Sequence, residues 1–188
     1  MIFSQDGPVW GTLRRAHAAL EEAGIPHAVV GGLAVFLHGH RRMTTDVDIL
    51  VRREERTAVR EALESAGLPL QGGEFIGDED VRMHLLFSGE PEGIDWAKAI
   101  CFPDPSDERS LAEIDGFPTV VLIRLLEMKL ACGLSNLRRP RDVDDALRLM
   151  ELHHLDKRFA ARLHPLLRKD FKRLVDVIRK YPRTHGPA

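Results

Sequence analysis

At 188 residues, 44% apolar and 30% charged, the chain is long enough for one domain with a small helical extension and too apolar for wholesale disorder. Its net charge of −2 argues neither for nor against a nucleic-acid partner. The two cysteines, Cys101 and Cys132, lack zinc-ligand or disulfide-framework spacing, and with no bilayer-length apolar run or basic-then-apolar leader they point to a cytoplasmic protein and no membrane partner.

In chain order, Trp10, Leu13, Ala16 or His17, and Leu20 recur at helical spacing, predicting a helix to about Ala23 that Gly24 ends. Pro26 leads into a short apolar strand, Ala28-Val29-Val30, which delivers Gly31-Gly32. A short helix is expected over Leu33 to Leu37, directly after the glycines, and then a polar, basic loop from Gly39 to Thr44. Thr45 to Val51 reads as an acidic strand, and Glu54 to Ala66 as an amphipathic helix closed by Gly67. Leu68 to Asp80, rich in glycine and acid, reads as a loop. Val81 to Phe87 alternates as a strand, and Ile94 to Ala97 is expected to pair with it across a turn at Gly89 to Gly93. A tight turn follows at Ile114 to Pro118. Thr119 is expected to cap a helix to about Cys132 that Gly133 stops, and Pro140 opens the next, with Asp142, Asp144 and Asp145 against its dipole. Asp156 to Leu163 and Pro165 to Tyr181 complete the chain as helices. The fold class expected is α/β (α+β): a small mixed, mainly antiparallel sheet with flanking helices. The domains expected are a catalytic core over 1–118 and a C-terminal helical region over 119–188 packed on it.

The chemistry concentrates between residues 30 and 50. Successive side chains of a strand alternate faces, so Asp46 and Asp48 point the same way while Val47 and Ile49 point into a core. Two neighbouring carboxylates repel unless a proton or cation lies between them, and a hard divalent ion accepts such oxygens. Upstream, glycines between a strand and a helix leave backbone N–H groups to face an anion. A third acid, Asp95, lies between Ile94 and Trp96. Each part alone has an ordinary reading: a solvated strand face, a tight turn, a hairpin-end residue. The histidines His38, His40 and His84 fit no ligand motif and are expected to be loop and strand histidines. The basic C-terminal stretch around Arg168, Lys172 and Arg179 reads either as an RNA-facing surface or as a solvated helix face.

Val30-Gly31-Gly32, a spacer of 13 residues, Asp46-Val47-Asp48 and then Ile94-Asp95-Trp96 resemble the nucleotidyltransferase superfamily that includes DNA polymerase β and the aminoglycoside nucleotidyltransferases. More locally, Arg42-x-Thr44-x-Asp46-x-Asp48, with Lys129 and Arg141-Asp142-Val143-Asp144-Asp145 downstream, is similar to the minimal nucleotidyltransferases of abortive-infection toxins. The resemblance covers residues 28 to 150. It implies transfer of a nucleoside monophosphate from a nucleoside triphosphate, ATP among them, to a hydroxyl on RNA, protein or a small molecule. It implies Mg²⁺ (or Mn²⁺) on Asp46, Asp48 and Asp95, the three catalytic acids. Gly31, Gly32, Arg42, Thr44, Lys129 and Asp142 would contact or position the nucleotide, with Arg41 a further contact. A toxin of this type implies an antitoxin protein as partner. A non-catalytic binding protein of the same fold is the alternative.

Overall fold

The computed structural model describes residues 5–181. It divides into two compact units: one runs to Glu90 and resumes over Cys101–Leu125, and the other comprises Pro91–Ile100 and the chain from Leu126 onward.

The first unit holds seven strands, β1 (His27–Val29), β2 (Asp46–Val51), β3 (Leu70–Gln71), β4 (Glu74–Ile76), β5 (Arg82–Phe87), β6 (Leu111–Ile114) and β7 (Phe117–Val120). They form one sheet in the order β3-β4-β5-β2-β1-β7-β6. The β2–β5 and β1–β7 pairs are parallel and the others antiparallel, so the sheet is mixed and mainly antiparallel, as expected. Helices α1 (Pro8–Glu22), α2 (Gly31–Leu37) and α3 (Arg56–Ser65) belong to the same unit. α1 packs on α3 and β2, and α2 on β2 and β7. Trp10 of α1 is buried edge-to-face against Phe36 of α2, 5.2 Å between ring centres. Leu13, Ala16 and Leu20 follow it into the core, bearing out the helical spacing.

Val47 and Ile49 of β2 are fully buried, with Leu50 and Val51 beyond them. Each large side chain so buried contributes about 1.5–3 kcal/mol. A slip of one residue would turn both carboxylates inward and these side chains out, so burial locks the register that presents Asp46 and Asp48 together.

Three segments depart from expectation. The region read as a loop after Leu68 contains the β3–β4 hairpin, because Gly72 and Gly73 both take positive φ (60° and 94°), as a two-residue hairpin turn requires. Residues 94–97 form no strand. Asp95–Ala99 is a 3-10 turn entered through Asp95 at φ 51°, and the Ile94 N–H donates to Ser135 Oγ rather than to a strand ladder. Ile94 and Trp96, the apolar flanks of Asp95, are 44% and 40% exposed. β5 instead takes β2 and β4 as its partners. Thr119 caps no helix: it is buried in β7, where its hydroxyl donates to the Phe117 carbonyl. Around it, Asp115 and Gly116, both at positive φ, make the turn of the β6–β7 hairpin.

Helix α4 (Leu122–Ser135) begins in the first unit and ends in the second, which also holds α5 (Pro140–Leu152) and α6 (Arg168–Lys180). Gly133 does not stop α4. A Cβ there would lie 2.8 Å from the Val143 backbone nitrogen, so the glycine lets α4 and α5 approach closely. Pro140 opens α5 as expected. The segment before α6 is two 3-10 turns, Lys157–Arg162 and Pro165–Leu167, rather than α-helix. Leu163, Leu167, Phe171 and Val175 are buried, and Phe159 stacks at 5.7 Å on Phe171. Neither cysteine is in a disulfide, and Cys132, its Sγ–H donating to the Glu92 carbonyl, has its pKa pushed up to about 11 by burial. Among the described residues no helix is long and apolar enough to cross a membrane.

Candidate active site

The β1–β2 ladder brings Gly31 against Asp48. The Val30 N–H donates to the Asp48 carbonyl (3.1 Å), which leaves the next residue beside the Asp48 side chain. Gly31 sits at φ +64°, and a Cβ there would collide with the Asp48 carboxylate, lying 2.7 Å from its Cγ. Gly32 is confined less tightly: a Cβ would meet the Thr44 hydroxyl and lie 3.4 Å from Arg42 Nη2. The glycine pair therefore places α2's first turn, the acidic strand, Arg42 and Thr44 around one point.

Within that cluster Thr44 Oγ1–H donates to Asp46 Oδ1 (3.0 Å) and holds that carboxylate. Arg42 is anchored by donation to the Met43 carbonyl (3.0 Å). Asp46 and Asp48 are half-buried and share one face of β2, as the alternation requires.

The third member of the group is His84, which the sequence reading set aside. The parallel β2–β5 register puts His84 directly beside Asp48. Its Nδ1 lies 3.0 Å from Asp48 Oδ1 and 4.0 Å from Asp46 Oδ2, and its Nε2 lies 3.0 Å from Glu74 Oε1. The hydrogen bond to Asp48 is the largest influence on the ring; with Glu74 behind it, it outweighs partial burial and raises the His84 pKa to about 9. Asp46, Asp48 and His84 offer ligand atoms all within 4.8 Å of one another, a donor set that fits a divalent cation. The pairing of β2 with β5 is a long-range event, so no local signal marks His84; only its place within an alternating strand was visible.

Other expected residues lie in the second unit. Asp95 is on the 3-10 turn, not on a strand. Lys129, expected to contact or position the nucleotide, is buried, its Nζ 2.8 Å from Asp142 Oδ1 and 2.9 Å from Asp145 Oδ2. Arg139 donates to the other oxygen of Asp142. One ammonium between two carboxylates makes a positioned, desolvated ion cluster. His38, by contrast, is held by the Val120 carbonyl (2.8 Å), a structural contact.

The sequence pattern of the aminoglycoside-2''-adenylyltransferase family matches residues 12–113, which span most of α1, both glycines, the acidic strand, His84 and Asp95. The chain belongs to that family. It is a nucleotidyltransferase, as the Gly-Gly and Asp-x-Asp motifs implied. Solved structures agree on the fold. The antibiotic-resistance factor ANT(2'')-Ia in solution is 17% identical, with a TM-score of 0.53 over 90% of this chain and 94% of its own. The crystal structure of ANT(2'')-Ia with adenylyl-2''-tobramycin is 14% identical, with a TM-score of 0.51 over 89% and 95%. JHP933 from Helicobacter pylori is 19% identical, with a TM-score of 0.53 over 90% and 76%. No curated protein matches the sequence.

Proposed function

We propose that the chain moves a nucleoside monophosphate, adenylate first among the candidates, from the triphosphate to a hydroxyl of a small polar molecule, with Mg²⁺ or Mn²⁺ held at Asp46 and Asp48. The observation that carries this is the Asp46–Asp48 pair turned to one face of β2 and confined against Gly31. A bound divalent ion would supply charge neutralisation at the phosphates. The acceptor oxygen attacks the α-phosphorus, the bond to the bridging oxygen breaks, and pyrophosphate leaves. Such transfer depends on positioning and charge more than on covalent help from the protein.

Thr44 keeps the Asp46 carboxylate aimed, while Gly31 and Gly32 bring backbone rather than side chain to the phosphates. Arg42 adds a fixed positive charge over Gly32. Asp95, in the second unit, takes the acceptor proton; Lys129 contacts the triphosphate, with Asp142 and Asp145 holding its ammonium. These last roles rest on the resemblance. The family's aminoglycoside acceptors favour a polyhydroxylated amine over RNA or protein. A toxin role, with an antitoxin partner, would instead require RNA or protein as acceptor.

The test incubates the protein with Mg²⁺ and each labelled nucleoside triphosphate, separately with an aminoglycoside panel, total tRNA and protein substrates. Label is expected on an aminoglycoside, with pyrophosphate released. An Asp46→Ala, Asp48→Ala double variant should lose at least about 10³-fold in rate, the equivalent of several kcal/mol of charge stabilisation. Equal transfer by that variant refutes the assignment, and label on tRNA or protein alone transfers it to the toxin reading.

A further inference from the structure

An all-carboxylate site is built for a hard ion, yet here the two acids share their face with an imidazole. His84 is oriented from both sides. Nε2 is taken by Glu74 at 3.0 Å, and the second oxygen of Glu74 lies 3.5 Å from Arg82 Nε, so the carboxylate behind the ring is itself fixed. Nε2–H is donated to Glu74 and Nδ1 is turned to Asp46 and Asp48, where a bound cation would take the place of the proton that Nδ1 shares with Asp48. A carboxylate behind a histidine whose other nitrogen faces a donor cluster is the arrangement that metal-ligating histidines use to set tautomer and aim.

The separations fit as well. Ligands about 2.1 Å from one ion stand about 3.0 Å apart when adjacent and about 4.2 Å apart when opposite in an octahedron. Nδ1 stands 3.0 Å from Asp48 and 4.0 Å from Asp46. One ion therefore reaches all three donors with small side-chain adjustments.

We propose that His84 is a metal ligand of this site, positioned by Glu74, and that the resulting two-carboxylate, one-imidazole set tunes it toward borderline transition-metal dications such as Co²⁺ or Zn²⁺ over Mg²⁺. It rests on the reading of Asp46 and Asp48 as metal-holding groups. Imidazole nitrogen suits the later first-row ions, whereas Mg²⁺ is best served by oxygen alone. Replacing an oxygen donor by nitrogen keeps the cation and changes which cation is preferred.

The test is binding of Co²⁺ alone and Mg²⁺ alone, by calorimetry, with proton NMR of the Co²⁺-loaded protein. The Nε2 proton donated to Glu74 should appear as an exchangeable resonance shifted far outside the diamagnetic range. In His84→Gln that resonance should vanish and Co²⁺ affinity fall at least about 100-fold, with Mg²⁺ affinity within about threefold. Glu74→Gln keeps the ring and removes its anchor; it should weaken Co²⁺ by about 10–100-fold, the range for lost outer partners of metal ligands. This second variant stands if His84→Gln fails to fold. Co²⁺ bound equally by wild type and both variants, with no shifted ring proton, overturns the His84 ligand while leaving the carboxylate site intact. Loss of all metal binding only in the Asp46→Ala, Asp48→Ala variant supports the underlying site, and metal binding unaffected there overturns both.

Discussion

Replacing Gly31 by alanine tests the geometry on which the site depends. Two costs arise. A non-glycine residue at φ +64° pays about 1–2 kcal/mol for the left-handed conformation. The new Cβ also overlaps the Asp48 carboxylate, which must rotate away from His84, while the Asp48 Cβ at 2.9 Å demands a small further shift. That bond is charge-assisted but partly open to solvent, so its loss is worth about 1–2 kcal/mol. The total, about 2–4 kcal/mol, corresponds to a fall in melting temperature of about 4–16 °C for a chain of this size. Urea unfolding of the metal-free protein measures it. Gly32→Ala is the control: Gly32 has no positive φ, its neighbour is the rotatable Thr44 hydroxyl, and alanine is the better helix former, so the change should stay within about 1 kcal/mol. Repeating Gly31→Ala in an Asp48→Ala background removes the carboxylate overlap and leaves the backbone cost and the close Cβ contact, a coupling of about 1–2 kcal/mol. Equal costs in the two backgrounds, or a Gly31→Ala change under about 0.5 kcal/mol, would refute the reasoning.

Lys129→Met removes the ammonium shared by buried Asp142 and Asp145, leaving Arg139 on Asp142, and should cost about 3–5 kcal/mol by urea unfolding; adding Asp145→Asn should recover part of it, and no recovery would show that packing rather than charge was lost. His27 is buried on β1 with Nδ1–H donated to the Ile25 carbonyl, and burial, more than the adjacent His17, lowers its pKa from 6.5. Its neutral ring thus supplies stability that is full above pH 6.5 and is lost as pH falls below that value, because only the unfolded chain takes up the proton there. Unfolding between pH 8 and 5 should show a steeper acid-side decline for wild type than for His27→Gln; parallel curves would remove His27 as the cause.

Legibility in the sequence followed the range of the interaction. The pairing of Asp46 with Asp48 was readable because strand alternation is local, and burial of Val47 and Ile49 enforces it. α1, α5 and the course of β5 were readable from period, Pro140 and alternation. The Ile94–Ala97 segment misled because apolar flanks around an acid imitate a strand, yet its backbone bonds to Ser135 and both flanks face solvent. The β3–β4 hairpin had its signal in Gly72-Gly73, hidden within a polar stretch.

The chain by itself determined the chemistry on offer: two carboxylates on one face after a glycine pair, and the family that uses them. Only the tertiary structure decided what surrounds them. The parallel pairing of β2 with β5 set His84 at Asp48, with Glu74 behind its ring, and the β1–β2 ladder pressed Gly31 against the same carboxylate. Those contacts join residues 10 to 36 positions apart. They arise from sheet register, which is set by the burial of a whole strand face and not by any residue's neighbours in sequence.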